Sequence, residues 1–174
     1  MKTFAIVVAV DEKMGIGKSG GLPWRLSRDM QRFKDITAPS SISSMRNAVI
    51  MGRKTWESLP AKFRPLPGRL NVVITSQIDF PLPEGVHRVS TLEEALEYAL
   101  ERVDVEEVFV IGGAHVFAEA ITHEACDRLF LTHIQGDFMC DTFCPGIPHA
   151  FQVVYKSPPF DENGIKFCFA DYKK

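Results

Sequence analysis

Asp29 lies three residues after Leu26 and four before Phe33. A helix through this stretch puts its carboxylate along the apolar stripe. Burial there removes solvation and raises a carboxyl pKa. Such a group can hold a cationic, amidine-like ligand or take part in proton transfer. The ordinary alternative is a first-turn acid that complements the helix dipole in a helix capped by Ser27. A second chemistry is suggested by Arg53-Lys54, which follow Gly52 at a strand-to-helix corner. Positive charge at a helix N-terminus is unfavourable by about 0.3–1 kcal/mol per group. An anion between these cations and the helix end would reverse that cost. Thr75-Ser76 and Gly112-Gly113 end two further strands. The glycines would let a ligand approach backbone N–H groups at a helix start. A cofactor with more than one phosphate would use all three corners.

The stretch Gly15-Ile-Gly-Lys-Ser-Gly20 is a literal G-x-G-x-x-G. In a dinucleotide fingerprint a helix begins at the glycines. Here Gly20-Gly21-Leu22-Pro23 intervenes and the helix starts near Ser27. A phosphate-binding P-loop would need glycine at position 12, which is Glu12. The segment therefore reads as a glycine-rich loop leaving the first strand, either a surface connector or a mobile cover over the strand ends.

The positioning elements alternate. Apolar runs at Phe4–Val10, Ala48–Met51, Leu70–Thr75, Val108–Ile111 and Arg128–Ile134 read as strands buried on both faces. Helices are expected at Ser27–Ile36 (stripe Leu26, Met30, Phe33, Ile36), Lys54–Leu59, Leu92–Glu101 and Ala114–Ala120. Thr91 and Glu94 form a capping box for the third. Phe151–Ser157 and Ile165–Tyr172 flank a turn-like Asp161–Gly164 and read as a hairpin. Polar or proline-rich loops are expected at Pro39–Ser44 and Phe63–Arg69. The expected fold class is α/β: one domain over residues 1–174, a mostly parallel central sheet with flanking helices, and a C-terminal antiparallel hairpin.

The chain has 174 residues, 45% hydrophobic and 24% charged, with net charge −2. That balance argues against nucleic acid or an acidic membrane as main partner. No apolar run approaches the roughly 20 residues of a membrane span. The N-terminal run ends in Asp11-Glu12 and reads as a strand, not a signal peptide. Cys126, Cys140, Cys144 and Cys168 read as reduced bystanders. A zinc site would want four well-spaced ligands, so no metal is expected. A cytoplasmic, monomeric protein is expected. The histidines at 87, 115, 123, 133 and 149 are scattered.

Taken in order, Ala9–Trp24, Arg28–Lys34, Val49–Pro60, Arg64–Arg69, Val73–Gln77, Val108–Phe117, Leu129–Ile134 and Asp141–Pro145 resemble dihydrofolate reductase along nearly the whole chain. The resemblance implies hydride transfer from NADPH to C6 of dihydrofolate with a proton delivered to N5. The product, tetrahydrofolate, supports one-carbon metabolism. It implies that Asp29, with Thr132 as hydroxyl partner, grips the pterin, and that N5 is protonated through water. It implies Trp24 bordering the pterin, and Val7, Val8, Phe33, Leu59, Leu66 and Ile111 as substrate contacts. Arg69 would bind the glutamate α-carboxylate. Arg53, Lys54, Thr55, Thr75, Ser76, Gly112, Gly113, Ala114 and His115 would hold the cofactor's phosphates. Ala9, Ile16 and Gly17 would line the nicotinamide pocket, under a mobile loop through Gly15–Trp24. Antifolate inhibitors would share the substrate site. Phe117 stands where many members have tyrosine, and His115 where many bacterial members have arginine. The length is too short for a fused thymidylate synthase. Two other readings remain: a fold relative reducing a ribosylaminopyrimidine, and a non-catalytic nucleotide- or pterin-binding module.

Overall fold

A computed structural model of the chain describes residues 2–39 and 44–174; residues 40–43 of the expected Pro39–Ser44 loop lie outside the described residues. The strands are β1 (Phe4–Val10), β2 (Gly15–Gly17), β3 (Arg46–Gly52), β4 (Arg69–Ile74), β5 (His87–Val89), β6 (Val105–Gly112), β7 (Cys126–Ile134), β8 (Thr142–Phe143), β9 (Gln152–Lys156), β10 (Phe160–Glu162) and β11 (Ile165–Lys173). The helices are α1 (Ser27–Thr37), α2 (Arg53–Ser58), α3 (Leu92–Leu100) and α4 (Ala114–Ala120).

Among the described residues, nine strands form one sheet, in the order β10-β11-β7-β1-β6-β3-β4-β5 with β9 also on β11. Pairing is parallel from β7 through β5 and antiparallel beyond β7. This is the expected architecture of a mostly parallel sheet with an antiparallel tail.

Alternation along β1 shows how the faces are filled. Phe4, Ile6 and Val10 join a core cluster under α3 and α4, with Leu96, Ala99, Phe117 and Ala120. Ala5 and Val7 face the other way, into a cluster with Val49, Trp56, Leu66 and Phe109. Phe33 and Ile36 of α1 and Leu59 after α2 pack there. Helices thus cover both faces; the central strands β3 and β4 have buried interiors, whereas the outer strand β9 is exposed.

Helix ends follow different rules. At α3, Thr91 accepts a hydrogen bond from the Glu94 N–H, while Glu94 accepts from the Ser90 N–H. At α1 the expected Ser27 cap is not formed. The capping position is Leu26, which has no acceptor, and the Glu162 carboxylate accepts from the N–H groups of Ser27 and Arg28 at 2.8 Å each. The expected stripe is also corrected. Phe33 and Ile36, four and seven residues after Asp29, turn onto the sheet, whereas Met30 is 54% exposed.

The tail hairpin is finer than expected. Asn163 and Gly164 have φ of 52° and 80°, the conformation that a tight Asn-Gly hairpin turn requires. They join β10 to β11, and β9 adds alongside β11 through a bulge at Asp171/Tyr172. No helix among the described residues is long and apolar enough to cross a membrane.

Candidate active site

Three strand-to-helix corners stand side by side because β6, β3 and β4 are adjacent and parallel. Gly52 pairs in register with Ile74, and Met51 with Gly112. Gly112 has φ of 133° and is joined to Gly113 by a cis peptide. A Cβ on Gly112 would lie 3.0 Å from Thr55 Oγ1, and one on Gly113 3.2 Å from it. The bare backbone at 112–113 and the Thr55 hydroxyl therefore form one cradle, with α4 starting at Ala114 and His115 exposed. Arg53 and Lys54 open α2 in the adjoining corner. Arg53 pairs with Glu57 one turn on, at 2.8 Å, which offsets part of its conflict with the helix dipole. Lys54 is exposed. Thr75 is buried and its Oγ1 accepts from the Gln77 N–H, with exposed Ser76 between them. Hydroxyls, bare backbone and two cations thus occupy neighbouring strand-to-helix corners, a set of residues suited to a polyanion.

Asp29 occupies the first turn of α1, and its Oδ1 accepts a 2.5 Å hydrogen bond from Thr132 Oγ1 on β7. Burial pushes the Asp29 carboxyl above its ordinary range; the Thr132 bond and nearby Arg32 oppose the shift, and Glu162 adds to it. Thr132 stands beside Ala9 of β1 and Phe169 of β11. Trp24 is buried with Leu26, Ile134, Phe167 and Phe169, edge-on to Phe138. Its Nε1 is buried without an acceptor among the described residues. A buried donor of this kind calls for a water or a ligand atom.

Val7, Phe33, Leu59, Leu66 and Ile111 are brought together in the apolar cluster on the α1–α2 face. Val8 is not with them; it packs against the opposite cluster, as strand alternation demands. Arg69 opens β4, where Nη1 donates to Thr37 Oγ1 at 2.8 Å and Nε to the Pro67 carbonyl. Partial burial lowers the Arg69 pKa, and no carboxylate among the described residues pairs with it. Asp29 and Thr37 are eight residues apart on one helix, roughly 12 Å along its axis. The acid and the guanidinium therefore stand at the two ends of α1.

The glycine loop is anchored rather than free. Gly15 and Gly17 of β2 pair with Phe143 and Thr142 of β8. Ile16 packs on the α3–α4 side of the core. The Ser19 N–H donates to Asp141 Oδ2 and the Asp141 N–H to the Gly17 carbonyl. A residue not singled out by the sequence organises the loop base. Buried Asp11 accepts from the N–H groups of Lys13 and Gly15 through Oδ1, and from the Phe138 N–H and Cys140 Sγ–H through Oδ2. An acid after a strand resembles any turn residue, so only the fold reveals it.

The family model described as dihydrofolate reductase matches residues 3–174. The chain is 48% identical to the bifunctional dihydrofolate reductase-thymidylate synthase of Daucus carota over 98% of its own length, which is 34% of that protein. It spans about a third of the length of such plant relatives. It is 40% identical to the dihydrofolate reductase of Drosophila melanogaster, covering 100% of this chain and 99% of that one. In structure it matches the Schistosoma mansoni dihydrofolate reductase with a TM-score of 0.85 and 38% identity, over 99% and 98% of the two chains. Sheet order, paired carboxylate and hydroxyl, and full-length similarity lead to one assignment: the chain belongs to the dihydrofolate reductase family.

Proposed function

We propose that the chain catalyses NADPH-dependent reduction of 7,8-dihydrofolate to 5,6,7,8-tetrahydrofolate. The observation that carries this is the placement of Asp29 and Arg69 at opposite ends of α1, with Phe33, Ile36 and Leu59 on the apolar face between. A ligand spanning them needs an amidine-like head, a flat apolar middle and a terminal carboxylate. Dihydrofolate has all three. Asp29 holds the pterin's amino and ring N–H groups, and Thr132 fixes the carboxylate's orientation. Arg69 binds the glutamate α-carboxylate, for which its fork is shaped. Val7, Phe33, Leu59, Leu66 and Ile111 flank the ring and benzoyl group, and Val8 contributes backbone.

The cradle at Thr55 and Gly112-Gly113 fits a dinucleotide phosphate, because a side chain at either glycine would fill it. Arg53, Lys54, Thr55, Thr75, Ser76, Ala114 and His115 would share the phosphates, and Ala9, Ile16 and Gly17 the nicotinamide. NADPH supplies the hydride for C6 when bound. The chain's own residues orient the pterin, exclude water and set the proton supply. Asp29, with its raised pKa, favours a proton at the pterin, and the Trp24 N–H orders the water that reaches N5. The 2,4-diamino antifolates present the same amidine to Asp29 and would compete.

The test is NADPH absorbance on adding dihydrofolate to the pure protein. Oxidation that needs both compounds is expected. No oxidation, or oxidation only with a ribosylaminopyrimidine, would overturn the reading.

A further inference from the structure

We infer that Glu162 is a positioning residue for the reaction, holding Asp29 in place by capping α1 from the neighbouring hairpin. The inference rests on the role given to Asp29 above. A helix start leaves its first N–H groups without partners. Here Leu26, apolar and 1% exposed, offers none. Both oxygens of Glu162 fill the need, one on Ser27 and one on Arg28, immediately before Asp29. The same hairpin grips the next turn. Arg28 lies over the Phe160 ring and Arg32 over the Phe169 ring, each at 4.4 Å, and Arg32 pairs with Asp171. The first two turns of α1 are thereby clamped to β10 and β11.

Glu162 also places negative charge near Asp29. The groups acting on that carboxylate are Arg32 on α1, Thr132 on β7 and Glu162 on β10; Asp171 on β11 pairs with Arg32, and Arg28 lies over the Phe160 ring. Asp161 is turned to the Gly164 N–H. Repulsion from Glu162 is the smallest of the effects on the Asp29 carboxyl, after burial, Thr132 and Arg32, and it favours the protonated form. Position and charge are separable, since Gln keeps one acceptor oxygen without the charge and Ala keeps neither.

The experiment compares wild type, Glu162→Gln and Glu162→Ala. It measures kcat and KM for dihydrofolate across pH, and NADPH affinity by fluorescence. Loss of the cap in Glu162→Ala should lower kcat/KM for dihydrofolate roughly three- to thirtyfold. NADPH affinity should change less than about twofold, because the cofactor corners lie on β3–α2, β4 and β6–α4. Glu162→Gln should retain most of the dihydrofolate affinity. In both variants the alkaline fall in rate should move to lower pH, because a negative charge favouring protonation is gone. Unchanged pH midpoints, or parallel loss of NADPH and dihydrofolate affinity, would overturn the inference and leave Glu162 a stability residue. Should wild type fail to turn over dihydrofolate, the functional reading falls and a 2,4-diaminopyrimidine titration decides this one. The protonation midpoint of the bound amidine, followed by ultraviolet absorbance, should drop in Glu162→Gln. No drop would overturn the inference.

Discussion

Thr132 Oγ1 donates to Asp29 Oδ1 at 2.5 Å, joining residues 103 apart in the chain. The bond ties a helix on one face to the strand where parallel pairing gives way to antiparallel. It holds a carboxylate in partial burial, where ionisation is unfavourable.

Asp29→Asn should separate activity from stability. The Asp29 pKa is raised in the folded state, so the folded protein loses stability as pH rises from the ordinary carboxylate value, 3.8, through the raised one. The cost is fully present once pH exceeds the raised value, and the amide, which can still accept from Thr132, avoids it. Asp29→Asn should melt up to a few degrees higher at pH 7, and the gain should vanish below about pH 4. Turnover should fall about 10²–10⁴-fold at neutral pH, least at low pH, where protonated substrate needs no help. Paired melting curves and rate profiles check both.

Arg69→Ala should raise the dihydrofolate KM by roughly 10- to 100-fold, the range for a hydrogen bond to a charged group. Arg69→Lys should recover only part of it, lacking the fork. A substrate without the glutamate tail should bind wild type and both variants alike. If it too weakened, Arg69 would be holding Thr37 and α1 in place.

Gly112→Ala should injure the cofactor rim. The φ of 133° disfavours any side chain, and its Cβ would meet Thr55 Oγ1 at 3.0 Å. Destabilisation of about 1–3 kcal/mol is expected, read by denaturant titration. NADPH affinity should drop more than tenfold, with a smaller effect on binding of a 2,4-diaminopyrimidine.

Asp11→Ala should loosen the glycine loop. Burial works against ionisation of Asp11, but the Phe138, Gly15 and Lys13 N–H groups outweigh it and hold the carboxyl below its usual range. That stabilisation is present above the ordinary value of 3.8 and is lost as pH falls through the lowered one. Removing the carboxylate orphans three backbone donors, at about 1–3 kcal/mol each where buried. Trypsin should cut at Lys18 faster in Asp11→Ala than in wild type at neutral pH. Equal rates would show that β2–β8 pairing alone secures the loop.

The frame was legible because its signals are local. β1 is a continuous apolar run, β4 and β7 are largely apolar, and α3 carries its stripe behind the Thr91–Glu94 capping box. Asp29 was legible because a carboxylate on an apolar face contradicts its surroundings. Other features depend on distant partners. The cap on α1 comes from Glu162, 135 residues beyond Ser27. β2 and β8, three and two residues long, are too short to show a period. Asp11 acquires its role only when the 138–140 segment closes on it. The Gly15–Gly20 segment reads from sequence as a connector or mobile cover, yet Gly15 and Gly17 form a short strand that pairs with β8.

The Asp29–Thr37 stretch acts as a ruler cut from a single helix. Adding one residue inside it would rotate everything beyond by about 100° and advance it about 1.5 Å. On the proposed reading, Asp29 and the Thr37–Arg69 pair would then no longer be spaced to hold the two ends of one ligand. Loops can absorb changes in length as lineages diverge, but this segment can change its letters far more readily than its count.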